Sequence, residues 1–517
     1  MSELEPMESD REDSYSNTAI KKSLKYFVLG KGVGALIGVG WLLLLVRALS
    51  KSEYGIYVGL VAYLELFVVL SNFGLVPISE RYVPEWKTKN QIGKLKGLIL
   101  FLFKARLLTV CVIALVAAMI THLFSEPLGI TQYATTFIIF QIVVASESFA
   151  RFIETIFDSL MLQGRAQISL FSRTGTRLLL LIFLLTKQVD INLTTWVVYE
   201  AVAYAIGLLV TITILGLTYR SLGDANPIEP DRNAKIRFGL PIYGSHVLGV
   251  ITGIDVIKLL AIRVLGAEAT AVFGFCASLA WMMQRYLPSF LLVGLIRPLI
   301  VAAAVSQNGH EKLDRITSIV IKLNAMIIGC GLALSLVLGD EIVMSLSGGK
   351  FSSGGIHLSI FLLFIFTQTL HAVIGYVGLA KSQGLLMFLA KLASGLILLV
   401  TLLFSNVIGI YAYSTALVVS DLVWFFLVFF WLKKMSQAPQ LPYLGLVKIF
   451  GVVLASYAIS ESIISFATHQ PVTLLSTILA SLFISTIFIL LCYRFKPFLA
   501  EERNAINRML PMKIFIW

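Results

Sequence analysis

Residues 47–86 read RALSKSEYGIYVGLVAYLELFVVLSNFGLVPISERYVPEW, an arginine and a short polar turn followed by a mostly apolar run and a second arginine, Arg81. The pattern returns 216 positions later, where Arg263 and Arg297 stand in place of the first arginine and Arg81. Other positions that match at this offset are Leu43 with Leu259, Val46 with Ile262, Leu49 with Leu265, Tyr57 with Phe273, Gln91 with Gln307, Gly93 with Gly309 and Lys96 with Lys312. Because repeated matches at one offset indicate an internal duplication, we predict a protein of two lobes.

The composition excludes an ordinary soluble protein. Only 14% of the 517 residues are charged and 58% are hydrophobic, whereas soluble domains carry about 25% charged residues. With a mean hydropathy of +0.88, the sequence predicts a polytopic membrane protein. The formal charge of +12 lies between apolar runs, where it sets orientation rather than binding nucleic acid. The four cysteines lie within apolar runs without paired spacing, so we predict neither a disulfide framework nor a metal site.

The apolar runs predict helices, because they are too long for the strands of a membrane barrel. A helix needs about 20 apolar residues to cross the hydrocarbon core, where every backbone polar group must be satisfied. We predict fourteen transmembrane helices, at 26–47, 56–79, 97–120, 134–157, 168–187, 194–218, 238–262, 268–290, 314–338, 356–379, 385–405, 408–432, 443–467 and 472–493. Since each lobe has an even number of helices, the two six-helix lobes are predicted to be parallel repeats, related by a pseudo-two-fold axis along the membrane normal.

The distribution of lysine and arginine predicts that both termini are cytoplasmic. With this orientation the outer face carries five basic residues, Arg47, Lys51, Lys187, Arg263 and Lys350. We divide the chain into an acidic cytoplasmic tail at 1–25, an N-lobe at 26–218, a linker at 219–237, a C-lobe at 238–432, two further helices at 443–493 and a basic cytoplasmic tail at 494–517. The outer loops are short and leave no room for an external catalytic domain.

Charged residues inside the predicted spans are candidate functional residues, because each costs at least about 2.5–3.5 kcal/mol at membrane depth unless it faces water or a partner. The fourth span carries Glu147, Arg151, Glu154 and Asp158, and their spacings of four, three and four put them on one stripe of the helix. Two interpretations stay open. The stripe is either a self-neutralising ladder of ion pairs or a ladder that lines a water-filled cavity.

The other charges within the spans are dispersed. Asp255 and Lys258 form an i,i+3 pair in the seventh span, either a structural salt bridge or part of a site. Arg177 and Arg285 are expected either to snorkel to the lipid headgroups or to line a cavity. Four acids are predicted to be isolated, where each could donate a hydrogen bond or cycle protons. These acids are Glu65, Glu200, Asp421 and Glu461.

Catalytic motifs are missing from the sequence. It contains no GxxxxGK[ST] phosphate loop, HExxH, nucleophile elbow or CxxC, so we expect no ATP hydrolysis and no enzyme of these classes. The six histidines are scattered, and we expect His246 and His371 to be packing residues rather than ligands. Transport would draw on an ion gradient, the membrane potential or the gradient of the substrate itself. No cofactor is predicted.

The motif that begins at Arg47 resembles the opening of polysaccharide flippases. Its turn, Arg-x-Leu-Ser-x-x-Glu-Tyr-Gly, consists of Arg47, Leu49, Ser50, Glu53, Tyr54 and Gly55, with Gly74 and Arg81 as further matches. The second copy, RVLGAEATAVFG, has lost the Glu-Tyr-Gly element, as expected of a diverged duplicate. The chain resembles the O-antigen and capsule exporters of the multidrug/oligosaccharidyl-lipid/polysaccharide superfamily, which are MATE-like transporters.

This resemblance implies a flippase of the cytoplasmic membrane that moves a polyprenyl-pyrophosphate-linked oligosaccharide to the outer leaflet by alternating access, for lipopolysaccharide or other surface polysaccharide. Cationic side chains would bind the pyrophosphate, and the candidates are Arg151, Lys258, Arg285 and Lys31. The candidate charge partners or ion-coupling groups are Glu147, Glu154, Asp255, Asp421 and Glu65. The expected partners are the lipid-linked oligosaccharide, membrane lipids, H+ or Na+ as coupling ion, and polysaccharide polymerase or assembly proteins.

Two other functions compete with this interpretation. A multidrug or cation antiporter on the same architecture would need an acidic, aromatic cavity, and the spans offer charges of both signs. A membrane glycan polymerase or ligase would need a catalytic surface on the outer face, and the short outer loops argue against it.

Overall fold

The computed structural model describes residues 32–509 except 33, 35, 125, 127–130, 230, 292–295, 297–299, 301–302, 305–309, 382, 405–408 and 468–473. Every regular element in this part of the chain is a helix. Eleven of the described helices are long and apolar enough to cross a membrane. The prediction of an all-helical, multi-pass membrane protein is therefore confirmed, while the count of fourteen spans and the symmetry of the lobes stay predictions. Lys31 and Arg297 lie outside the described residues.

The described helices are numbered in chain order. They are α1 Leu36–Ala48, α2 Lys51–Leu70, α3 Leu75–Thr88, α4 Ile92–Phe124, α5 Ala134–Ser159, α6 Gln163–Thr186, α7 Leu193–Ser221, α8 Arg232–Ile251, α9 Ile254–Leu265, α10 Ala267–Gln284, α11 Pro288–Leu291, α12 His310–Ser347, α13 Gly355–Ala380, α14 Gly384–Leu403, α15 Tyr411–Lys434, α16 Tyr443–Ala467, α17 Leu474–Phe495 and α18 Ala500–Met509. A single 3-10 turn, Thr131–Tyr133, precedes α5.

The motif that begins at Arg47 caps two helices. The Ser50 side chain accepts a hydrogen bond from the backbone N–H of Glu53 at 3.2 Å, and the Glu53 carboxylate accepts one from the backbone N–H of Ser50 at 3.1 Å. This reciprocal pair is a capping box at the start of α2. Glu53 also accepts a hydrogen bond from the backbone N–H of Leu193, the first residue of α7, at 2.9 Å. Two residues of the motif therefore join the starts of two helices.

The predicted span 56–79 is wrong as a single helix, because the chain breaks between α2 and α3. Phe73 and Gly74 have φ of 45° and 80°, the left-handed region that ends a helix. A Cβ on Gly74 would lie 2.6 Å from the carbonyl carbon of Gly239 on α8, so this close approach also requires glycine. The buried Arg106 of α4 donates to the carbonyl of Ser71 at 2.5 Å and to that of Ser148 at 2.9 Å. Its guanidinium thus satisfies a carbonyl that the break exposes.

The predicted seventh span, 238–262, is also interrupted. The helix α8 ends at Ile251, and α9 begins at Ile254 after the N-cap residue Gly253. Gly253 is extended, with φ of −98° and ψ of 175°, which interrupts the helical path. A single helix over 238–262 is therefore a wrong prediction.

Residue contacts divide the chain into two compact units. The first consists of the described residues up to Ile251 together with Lys258–Arg263, and the second of residues 252–257 and those from Val264 onwards. In the first unit, α5 packs against α2, α3, α4, α6 and α7 and is its central helix. In the second unit, α12 packs against α13, α16 and α17, and α13 packs against α15. The predicted domain boundaries stay predictions.

The predicted linker, residues 219–237, is held against the first unit. The backbone N–H of Ile228 donates to the carbonyl of Gly93 at 2.9 Å, and the Lys96 side chain donates to the carbonyl of Gly223. A Cβ on Gly97 would lie 1.8 Å from the carbonyl oxygen of Ile228, so only glycine leaves room for the backbone there. The linker therefore lies along one side of α4.

In the second unit, the short helix α18 is fastened to α12 by a buried ion pair. Lys322 and Glu502 are each 4% exposed, and their Nζ and Oε2 atoms lie 2.5 Å apart. Glu502 also accepts hydrogen bonds from the Ser318 hydroxyl at 2.5 Å and from the backbone N–H of Leu499 at 2.8 Å. The apolar side of the contact consists of Phe498 and Ile506 against Ile319, Leu323 and Met326.

We expect Lys322→Met to release α18, because removing one partner of a buried ion pair leaves the other charge unpaired and costs about 3–5 kcal/mol. Limited trypsin digestion of the purified protein should then cleave after Arg503 much faster than in the wild type. Arg315→Gln is the matched control, since Arg315 pairs with Glu501 at the surface, with both side chains more than half exposed, and such pairs contribute about 0–1 kcal/mol. Equal cleavage rates in both variants would contradict this prediction.

Candidate functional site

Seven charged side chains meet in the interior of the first unit. We call them the arginine–glutamate network, which consists of Glu65 on α2, Glu147, Arg151 and Glu154 on α5, Arg173 and Arg177 on α6, and Glu200 on α7. Spacings of three or four residues place the members on α5, and likewise those on α6, on one face of each helix. Because α5 packs against α2, α6 and α7, these faces are brought together.

Arg151 joins two carboxylates at one end of the network. Its two terminal nitrogens donate to both oxygens of Glu65 at 2.8 and 2.9 Å, a bidentate arrangement. Its Nε donates to Glu147 at 2.6 Å. The side chains of Arg151 and Glu65 are 38% and 36% exposed, whereas Glu147 is 7% exposed. The prediction that Glu65 is isolated is therefore wrong, and the accessible end of the network is the Arg151–Glu65 pair.

Arg173 is the buried centre of the network. Its Nε lies 2.7 Å from the second oxygen of Glu147, and its Nη1 lies 2.8 Å from Glu154. The side chain is 1% exposed. Gly207 on α7 makes room for it, because a Cβ there would lie 2.2 Å from the Cγ of Arg173. The sequence analysis missed Arg173, although it stands four residues before Arg177 in the same predicted span.

Arg177 ends the network among aromatic rings. It pairs with the buried Glu200 at 2.5 Å, and Glu200 also accepts a hydrogen bond from the Tyr57 hydroxyl at 2.8 Å. The guanidinium lies over the Trp41 ring at 3.9 Å from its centroid and over the Tyr204 ring at 5.0 Å, both within cation–π range. The prediction that Glu200 is isolated is therefore wrong. Of the two roles expected of Arg177, snorkelling to the headgroups does not fit, because its partners are inside the unit.

The fold and this network can now be compared with known proteins. Residues 20–296, more than half of the chain, match the family described as polysaccharide biosynthesis protein. The chain belongs to this family. A search of curated proteins finds no match to this sequence.

Solved structures share the fold of this chain. One is an inward-facing multidrug resistance MATE family transporter of the MOP superfamily, with a TM-score of 0.60 at 16% identity, covering 78% of this chain and 94% of that one. Another is the lipid II flippase MurJ in an inward closed conformation, with a TM-score of 0.55 at 12% identity, covering 90% and 98%. A third is a MOP superfamily transporter from Pyrococcus furiosus, with a TM-score of 0.53 at 15% identity, covering 84% and 99%. The resemblance to the MATE-like superfamily is confirmed at the level of the fold.

The charge balance of the network differs from the expected cationic lining. Four carboxylates and three guanidiniums give a formal charge of −1 when all are ionised. Of the two interpretations of the α5 stripe, the ladder of ion pairs describes Glu147 and Arg151, which pair within the helix. Glu154 instead pairs across to Arg173 on α6. One bound proton would make the network neutral.

The remaining predicted site residues do not belong to the arginine–glutamate network. Asp255 and Lys258 are half-buried on α9, and Arg285 is exposed at the end of α10. Asp421 on α15 is buried but not isolated, because it bonds to His371 of α13 at 2.7 Å. Lys31 lies outside the described residues. Among the described residues, no group of three or more His, Cys, Asp or Glu side chains could hold a metal ion.

Proposed function

We propose that this polysaccharide biosynthesis protein is a flippase that moves a polyprenyl-pyrophosphate-linked oligosaccharide from the inner to the outer leaflet of the cytoplasmic membrane. The family to which the chain belongs and the fold that it shares with a lipid II flippase support this proposal. In this proposal both termini are cytoplasmic, the two lobes alternate in access, and the product serves surface polysaccharide such as O-antigen.

The observation that carries the proposal is the geometry of Arg151. It is the accessible arginine of the network, and its bidentate partner Glu65 is equally accessible, whereas Arg173 is buried between two carboxylates. A pyrophosphate offers paired oxygens of the kind that a guanidinium binds in bidentate fashion. The substrate headgroup can therefore replace Glu65 as the partner of Arg151, without any change at Arg173.

This exchange gives Glu65 the role of a coupling group. Once an anionic headgroup has taken Arg151, an ionised Glu65 would stand unpaired beside a second negative charge. Binding a proton removes that repulsion, since a like charge disfavours the ionised carboxylate. Substrate binding and proton binding are then linked at Arg151. Glu147 and Glu154 hold Arg151 and Arg173 in place. A Na+ ion near Glu65 would be the alternative coupling ion.

The other candidate headgroup cations, Lys258, Arg285 and Lys31, are proposed from the sequence, as is Asp255 as their charge partner. A polysaccharide polymerase or assembly protein is the proposed partner that receives the flipped substrate.

A cation antiporter is the second candidate function, and one observation favours it. The network carries a formal charge of −1 and presents the rings of Trp41, Tyr57 and Tyr204 around Arg177. Acidic and aromatic groups together are suited to organic cations. The MATE transporter with a TM-score of 0.60 shares this fold.

Deletion of the gene separates the two functions. If the protein is a flippase, the deletion strain loses surface polysaccharide, retains wild-type resistance to cationic dyes, and regains polysaccharide when the gene is restored on a plasmid. Extracted surface glycan is measured by gel electrophoresis, and dye resistance by the minimal inhibitory concentration. Intact polysaccharide together with dye sensitivity would support the antiporter and reject the flippase.

A further inference from the structure

In the second unit, a histidine and an aspartate from two helices share a short hydrogen bond. Nδ1 of His371 on α13 lies 2.7 Å from Oδ1 of Asp421 on α15. The Asp421 side chain is 4% exposed, whereas His371 is 27% exposed. The second oxygen of Asp421, Oδ2, is buried and has no hydrogen-bond partner among the described residues. In this pair, a buried carboxylate is bonded to a partly exposed imidazole.

An indole lies flat against the same imidazole. The Trp424 and His371 rings are stacked, with centroids 3.5 Å apart and planes at 5°. Trp424 is buried, and its Nε1 donates to the carbonyl of Met387 at 3.2 Å, which fixes the indole in place. The face of an indole attracts a cation more strongly than other aromatic faces do. The imidazole of His371 is therefore in contact with both the Asp421 carboxylate and the face of the Trp424 indole.

The neighbouring helices place few other charges beside this pair. The helix α14 contributes Lys391, which interacts electrostatically with Asp421. On α12, Lys322 is bonded to Glu502 and the carbonyl of Pro497 instead. The other described acids and bases of α12 lie towards its two ends. Glu268 lies in the first turn of α10, and α11 has no charged residue. Asp421 thus has two cationic neighbours when His371 is protonated and one when it is not.

We propose that His371 and Asp421 form a proton-binding site in the second unit, which exchanges its proton through the exposed edge of the imidazole. Histidine is suited to this because it changes charge in the physiological pH range. A metal cation fits poorly, since hard cations require several oxygen ligands and the pair leaves one free carboxylate oxygen. The role of this proton in transport rests on the proposed function, whereas the binding of the proton does not.

The stacked indole allows this proposal to be tested without substrate, because a protonated imidazole in contact with an indole quenches its fluorescence. We expect the emission of the purified full-length protein to fall as the pH is lowered, by an amount that corresponds to one of its seven tryptophans. The fall should be lost in His371→Gln and in Trp424→Phe. Asp421→Asn should also change the fall, because the carboxylate bonded to the imidazole is replaced by a neutral amide.

His246→Gln is the matched control, since His246 is exposed on α8 of the first unit and should leave the titration unchanged. Size-exclusion chromatography confirms that each variant is folded, and glutamine can keep a hydrogen bond to Asp421. An unchanged fluorescence titration in His371→Gln would overturn the proposal. Failure of the flippase proposal is seen separately, as intact surface polysaccharide in the deletion strain, and leaves the fluorescence result as it is.

Discussion

Arg151→Ala is expected to reduce the output of surface polysaccharide by about 10- to 100-fold while the protein level stays normal. The expected loss corresponds to about 1.5–3 kcal/mol, the contribution of a hydrogen bond to a charged group. Arg151 is the accessible arginine of the network and holds Glu65 in bidentate fashion at 2.8 and 2.9 Å. In the proposed mechanism the pyrophosphate takes the place of Glu65, so no other residue of the network can supply the missing contact.

Two further variants distinguish the geometry of Arg151 from its charge. Arg151→Lys keeps the positive charge but loses the planar fork, so we expect an intermediate output. Arg165→Ala is the control, because Arg165 bonds to Thr218 outside the network and should leave output near the wild-type level. Glycan is measured in the complemented deletion strain, and protein by immunoblot of membranes. Wild-type output from Arg151→Ala would exclude Arg151 from the substrate site.

Arg173→Met is expected to destabilise the protein by about 3–5 kcal/mol, because it leaves the buried Glu147 and the half-buried Glu154 without their common partner. Arg173 is 1% exposed and lies 2.7 and 2.8 Å from Glu147 and Glu154. Methionine is apolar and flexible, so the effect should come from charge rather than from a clash. We expect a lower yield of folded protein and a lower temperature of unfolding in detergent, measured by size-exclusion chromatography after heating.

A compensating variant tests whether charge is the cause. Glu154→Gln in the Arg173→Met background should recover part of the lost stability, because it removes one unpaired charge. Lys89→Gln is the control for a surface pair, since Lys89 and Glu85 are both partly exposed and should contribute less than about 1 kcal/mol. If Arg173→Met unfolds at the wild-type temperature, Arg173 does not hold the network together.

The sequence predicts helices well because long apolar runs in lipid have few other solutions. The breaks within the predicted spans 56–79 and 238–262 escaped prediction, because hydropathy averages over a run and does not report backbone angles. Phe73 is an example of a residue whose hydropathy does not report its backbone angle. It is apolar and continues the run, yet its φ of 45° ends α2 where the chain meets α8.

The candidate site was predictable only where its partners are near in sequence. The ion pair of Glu147 and Arg151 follows from a spacing of four on one helix. The pairs of Arg151 with Glu65 and of Arg177 with Glu200 join different helices, and no local pattern reports them. For this reason Glu65 and Glu200 were predicted to be isolated, and Arg173 and Arg106 were missed.

The amino-acid sequence by itself determined that this chain is a helical membrane protein of the polysaccharide biosynthesis family, and which charged residues its membrane helices must accommodate. Hydrophobicity and short motifs are local properties, and they can be read along the chain. Only the tertiary structure decided which charges neutralise one another, and that Arg151 is the accessible arginine of the network while Arg173 is buried. Ion pairing depends on distances between helices, and packing sets those distances.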